Sequence, residues 1–160
     1  MIRILEEYIS HEEEQLLLSR LRRTKNTIGT GRNSVLRYGS KLPYKSRVNP
    51  RIPSYFYFLL TRLKEDSIIN SDSVTVNEYH PTQSIDWHID SPASGPTIVV
   101  LSLESEAIME LRHLNISKKL RLRPRSLLIM DGEEREIWEH AIHPLVAHRF
   151  SIVFRRGTEI

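Results

Sequence analysis

Ser73-Val74-Thr75-Val76-Asn77-Glu78-Tyr79 switches the chain from helical periodicity to a period of two, and that switch decides the fold class. Successive side chains of a strand point to opposite faces, so Val74 and Val76 share one face and Thr75, Asn77 and Tyr79 the other. Upstream, residues 1–9 read as a short extended segment. Ser10 and Glu13 then form a capping box, and Leu16, Leu17, Leu18 and Leu21 give a helix an apolar stripe to about Arg23. Pro53 opens a second helix, with Tyr55, Phe56, Phe58, Leu59, Leu60 and Leu63 as its packing residues, to about Asp66. Downstream, the segments at 97–103, 107–112, 118–122, 126–130, 136–142 and 149–155 read as strands between turn residues. Two helices leading into about eight short strands predict an α+β, mainly β protein. Its form is an antiparallel sandwich or jelly roll with two N-terminal supporting helices.

The 160 residues predict a single domain, 1–160, with the jelly-roll core at 73–156. The chain has no cysteine, which excludes disulfides, zinc-thiolate sites and thiol catalysis. No apolar run could span a bilayer, and Glu6 and Glu7 stand where a signal peptide would be apolar. The expectation is a cytoplasmic protein, or a nuclear one in a eukaryote, and not a secreted one. Formal charge is only +3, but residues 20–51 carry Arg20, Arg22, Arg23, Lys25, Arg32, Arg37, Lys41, Lys45, Arg47 and Arg51 with no acid among them. Cations interleaved with Tyr38 and Tyr44 suit a polyanion with stackable bases; a solvated basic surface is the plainer reading. Glycines and prolines break up 24–53, which is read as a basic lid facing the substrate, with Val35-Leu36-Arg37-Tyr38 within it as a candidate short strand.

Trp87-His88-Ile89-Asp90 carries the chemistry. His88 and Asp90, two apart on an extended segment, project to one side and can reach one ion. A distal histidine would complete two His and one carboxylate, the arrangement of non-haem Fe(II) oxygenases. The candidates are His113, His140, His143 and His148. A strand returning beside His-x-Asp lies late in a jelly roll, which disfavours His113. His140 shares a strand face with Trp138 and is favoured over His143, which lies beside Pro144 in a loop. Trp87 alternates away from His88 and is expected in the core. In 149–155, Arg149, Ser151, Val153 and Arg155 share one face and Phe150, Ile152 and Phe154 the other. Two arginines facing a cavity need anions, and an arginine fork holds a carboxylate such as one end of 2-oxoglutarate. On an edge strand they would sit in water.

Taken together, the motifs closely resemble the AlkB-like Fe(II)/2-oxoglutarate dioxygenases. Asn77-Glu78-Tyr79 matches that family's Asn-x-Tyr, His88-Ile89-Asp90 its His-x-Asp, His140 its distal ligand, and Arg149-x-Ser151-x-x-x-Arg155 its last strand. The resemblance covers about residues 35–156 and implies the double-stranded β-helix form of the jelly roll. It implies Fe(II) on His88, Asp90 and His140, 2-oxoglutarate contacted by Asn77, Tyr79, Arg149, Ser151 and Arg155, and O2 as second cosubstrate. Arg149 would take the far carboxylate and Arg155 the end near the metal. The implied reaction is oxidative demethylation of N-alkylated bases in DNA or RNA by a monomer, without membrane association. The alternative is oxidation of a protein or small molecule. Tyr38, Tyr44, Lys45 and Arg47 are the expected substrate contacts, with Tyr44 the preferred stacking ring. Ser151 stands where the bacterial prototype has Asn, and Pro92 where it has a substrate-sensing acid, so substrate preference does not carry over.

Overall fold

The computed structural model describes residues 1–24, 34–40 and 48–158. In chain order these form β1 (Ile2–Leu5), α1 (His11–Leu21), β2 (Ser34–Gly39), β3 (Val48–Asn49), α2 (Tyr57–Glu65), β4 (Ser73–Tyr79), β5 (Ile85–His88), β6 (Ile98–Leu103), β7 (Ala107–His113), β8 (Ile116–Leu122), β9 (Leu127–Met130), α3 (Gly132–Glu136), β10 (Glu139–Ile142) and β11 (Arg149–Arg155). They make a seven-stranded sheet, β1-β9-β6-β11-β4-β2-β3, and a four-stranded sheet, β5-β10-β7-β8. Of these pairings only β2 with β3 is parallel. Two facing antiparallel sheets carrying helices on one outer face are the expected jelly roll with supporting helices.

Alternation on the large sheet feeds two cores. Val74 and Val76 of β4, Val99, Leu101 and Leu103 of β6 and Phe150, Ile152 and Phe154 of β11 pack with Leu17, Leu18 and Leu21 of α1 and Leu59 and Leu63 of α2. The opposite face turns Tyr79, Ile98, Val100, Leu128 and Val153 toward Met109, Leu111 and Ile142 of the small sheet. Phe150, Ile152 and Phe154 are at most 1% exposed, so each contributes on the order of 1.5–3 kcal/mol of burial. The helix start at α1 is as expected. Ser10 Oγ accepts from the Glu13 N–H at 3.1 Å, and the Ser10 N–H donates to Glu13 Oε1 at 2.9 Å. Glu13 Oε2 also pairs with Arg62 Nη2 of α2 at 2.5 Å, tying the two helices together.

Several expectations are corrected. The segment 136–142 is not one strand: α3 runs to Glu136 and β10 starts only at Glu139. Leu16 is exposed, because α1 buries only the stripe that faces the sheet. The span 24–53 is not a lid throughout, since β2 pairs with β4 from Ser34↔Glu78 to Gly39↔Ser73 as an integral strand. Tyr38 is accordingly in the core, with its ring 6.2 Å from that of Phe56, and is not presented to a substrate. Trp87 is not core. It is half-buried, with the Arg112 guanidinium stacked 4.0 Å from its ring centre and Arg112 paired to Glu139. Tyr44, Lys45 and Arg47, like Lys41, lie outside the described residues.

Candidate metal centre

His88 ends β5 and Asp90 lies two residues beyond it; His140 enters from β10, paired opposite His88. One donor atom from each lies within 4.8 Å of the other two. Asp90 Oδ1 is 3.2 Å from His88 Nε2 and 3.6 Å from His140 Nε2. His88 Nδ1 is 2.8 Å from the Asp86 carbonyl, which orients the ring so that Nε2 points at Asp90; an ion bound there would take the place of the proton that Nε2 shares with Asp90. The pairing is irregular between His140↔His88 and Ile142↔Ile85, where β5 carries one extra residue. Two imidazoles and a carboxylate oxygen converging without a bridging group match the expected donor set.

The electrostatics suit a cation. Burial pushes the Asp90 carboxyl up, but the His88 hydrogen bond and the Arg155 guanidinium outweigh it and hold the group well below the usual carboxylate range. Burial takes the His140 imidazole down to about 4, which keeps it neutral and able to donate its lone pair. The hydrogen bond to Asp90 raises His88 against the opposing effect of burial. Arg155 Nε and Nη2 both reach Asp90 Oδ2, at 2.9 and 2.8 Å, and Nη1 donates to Thr75 Oγ1 at 3.2 Å. One oxygen of Asp90 is thus tied down while the other faces the histidines.

The donors open into a cavity between the two sheets. Asn77, Tyr79, His88, Asp90, His140, Arg149, Ser151 and Arg155 all line it, so the structure gathers there every residue singled out for metal or cosubstrate. The β4–β11 register sets Asn77 opposite Ser151 and Tyr79 opposite Arg149. Arg149 is fully buried. Its Nη2 donates to Ser102 Oγ at 2.8 Å, and its carbon centre lies 5.1 Å from the Tyr79 ring centre. Its Nε and Nη1 have no partner among the described residues. A buried guanidinium with two unused donors is costly unless an anion meets it, so the cavity fits a carboxylate at this end and a cation at the other.

Sequence reasoning missed three supporting residues. Ser102 and Thr75 hold the two arginines; Ser102, a hydroxyl inside an apolar run, carried a readable signal. Arg135 of α3 carried none, since Gly132-Glu133-Glu134-Arg135-Glu136 reads as a solvated turn. It is 3% exposed and donates to the carbonyls of Gly95, Asp90 and Ser91 at 2.9, 3.0 and 2.8 Å. The loop it clamps also requires Gly95, whose φ is +86° and where a Cβ would meet the Arg156 carbonyl oxygen at 2.2 Å.

Comparison with known proteins agrees with this geometry. The family model described as the 2OG-Fe(II) oxygenase superfamily matches residues 2–155. The mouse protein named tRNA (carboxymethyluridine(34)-5-O)-methyltransferase ALKBH8 is 31% identical over 158 residues, which is 88% of this chain and 24% of that one. The chain therefore spans about a quarter of the length of such relatives. Two solved structures share the fold. One is OsALKBH1, with TM-score 0.72, 17% identity and 97% of both chains covered. The other is a Pseudomonas putida prolyl-4-hydroxylase, with TM-score 0.73, 10% identity and coverage of 99% and 93%. Sequence match, fold and the His-Asp-His group converge: the chain belongs to the 2OG-Fe(II) oxygenase superfamily, as an AlkB-like member of enzymes that use Fe(II), 2-oxoglutarate and O2.

Proposed function

We propose that the chain oxidatively demethylates N-alkylated bases in nucleic acid, with His88, Asp90 and His140 holding Fe(II). The observation that supports the oxygenase half is Arg149, a buried guanidinium with two unused donors in the same cavity as the metal-type donors. It would take the far carboxylate of 2-oxoglutarate, with Tyr79 stacked against it and Ser102 fixing its third arm. Asn77 and Ser151 line the wall between that end and the metal. Arg155 keeps Asp90 ionised and fixed in orientation, and the Asp86 carbonyl keeps His88 in the tautomer that presents Nε2. Bound iron supplies O2 activation, with 2-oxoglutarate oxidised to succinate and CO2. Hydroxylation of an N-methyl carbon gives a hemiaminal, whose C–N bond breaks to release formaldehyde and the free base.

The nucleic-acid half rests on the acid-free basic stretch at 20–51 and on a relative whose name is that of a tRNA methyltransferase. Tyr44 would stack on the base while Lys45 and Arg47 hold phosphates; Tyr38, being core, is left out. Anaerobic titration of Fe(II) and 2-oxoglutarate into wild type and His88→Ala tests the oxygenase half through the visible charge-transfer band. Adding O2 and methylated oligonucleotides tests the substrate. A band present in wild type and lost in the variant, with matched succinate and formaldehyde, is the expected result. Succinate without formaldehyde would move the substrate to a protein or small molecule, and absence of the band would overturn the metal assignment.

A further inference from the structure

A second group of metal-type donors lies on the far side of the large sheet from the cavity. Asn77 and Tyr79 of β4 face the cavity, so Glu78 between them points the other way. His80 follows β4, and His148 immediately precedes β11. The pairings Glu78↔Phe150 and Tyr79↔Arg149 bring the start of β11 back beside the end of β4. One donor atom from each of Glu78, His80 and His148 lies within 4.8 Å of the others. Glu78 Oε2 is 2.8 Å from His148 Nε2 and 3.9 Å from His80 Nε2. Metal–ligand bonds of about 2.0–2.1 Å in a tetrahedron place neighbouring donors about 3.3 Å apart, so the two separations straddle the value that an ion would impose.

The surroundings of His148 are those of an oriented ligand. Its Nδ1 meets Glu104 Oε2, and a carboxylate on the far nitrogen of an imidazole fixes the tautomer and frees Nε2 for an ion. Glu104 is itself held. Its Oε1 pairs with Arg22 Nη2 at 3.0 Å, and its backbone N–H donates to Glu14 Oε2 at 3.0 Å. The His148 ring stands edge-on against Phe150 and His80, with centres 4.9 and 5.0 Å away. His80 is half exposed, which leaves a route for the ion and room for water in the remaining positions. A protonated His148 clamped between Glu78 and Glu104 would explain those two contacts, but it has no need of a second imidazole turned toward the same Glu78 oxygen.

The geometry points to a second, surface metal site in which Glu78, His80 and His148 bind a borderline divalent ion of the zinc or copper class and Glu104 orients His148. A bound ion would pin the segment before β11 to the end of β4, next to Arg149. The site does not depend on the proposed reaction.

The test uses the full chain carrying His88→Ala and His140→Ala, which removes the first metal group. Zn(II) titrated against a chromophoric chelator is expected to bind at one equivalent. Adding His80→Ala, a change at an exposed position, or His148→Ala abolishes that equivalent; Glu104→Gln weakens it about 10- to 100-fold. In the wild-type background, His80→Ala lowers the Zn(II) stoichiometry from two to one, which answers the question even if the double variant folds poorly. A natively folded double variant that binds no Zn(II), or binding indifferent to His80→Ala and Glu104→Gln, overturns the site. Turnover of 2-oxoglutarate by His80→Ala alone stays at the wild-type level, so the two metal assignments fail or stand in separate assays.

Discussion

Arg149 carries a large desolvation cost, and under the proposed function one carboxylate of 2-oxoglutarate offsets it. A lysine at this position would keep the charge but lose the planar fork and the stack on Tyr79. Truncating one partner of a buried, hydrogen-bonded charge pair costs about 2–5 kcal/mol, so Arg149→Lys should raise the KM for 2-oxoglutarate about thirtyfold or more. Fe(II) affinity measured without 2-oxoglutarate should stay close to wild type. The opposite split is expected at Arg135, which does not itself line the cavity but holds the backbone of Asp90 and Ser91. Arg135→Gln cannot reach three carbonyls. Fe(II) binding should weaken about 10- to 100-fold, as for other lost supports of metal ligands, while the KM for 2-oxoglutarate moves little. Equal loss of both would show that the cavity as a whole had collapsed.

At the scale of elements, pairing between α1 and α2 is sensitive to pH. The Arg62 hydrogen bond, reinforced by the Ser10 N–H, holds Glu13 below its ordinary value of 4.5. A depressed folded-state pKa contributes stability above the unfolded value, and that contribution is lost as pH falls through 4.5 and below. Glu13→Gln should therefore lower Tm at pH 7, and the gap to wild type should close progressively as the pH falls below 4.5. The same scale shows what was legible in the residues. β4 and β11 have the bounds expected of them, because strict alternation leaves one register that buries Phe150, Ile152 and Phe154 together. The capping box announced α1 for the same local reason. α3 was not legible, since five residues without an apolar stripe carry no helical period and Arg135 is buried by tertiary packing alone. Trp87 does alternate away from His88, but it was misplaced because the face it turns to is the outer face of the small sheet, where Arg112 and Glu139 sit. The residues that gather at the cavity were visible because side chains on one strand face recur at fixed spacing. Glu78, His80 and His148 were not, because only the β4–β11 pairing brings them together.

For the whole molecule, charge is more informative as a distribution than as a sum. The formal net of +3 hides the acid-free run from 20 to 51, while elsewhere Arg121, Arg123 and Arg125 are matched by Glu106, Glu6 and Glu7. If Lys41, Lys45, Arg47 and Arg51 meet phosphates, four contacts on a single strand give a salt slope of about −2.8. Affinity for a methylated oligonucleotide should then fall about fiftyfold between 50 and 200 mM salt, measured by fluorescence anisotropy. The KM for 2-oxoglutarate, governed by one buried guanidinium, should change far less. A flat salt response for the oligonucleotide would reject phosphate contact by this run. The interleaving on β11 also sets a rule for how such a chain can change length. Deleting or inserting one residue within 149–155 would reverse the faces of every side chain on one side of the change, sending apolar residues of that part toward the cavity and its cavity-facing residues into the layer beneath the helices. Viable insertions and deletions should therefore accumulate in the turns flanking this strand, and a library of single-residue deletions should show 149–155 as a stretch where none survives.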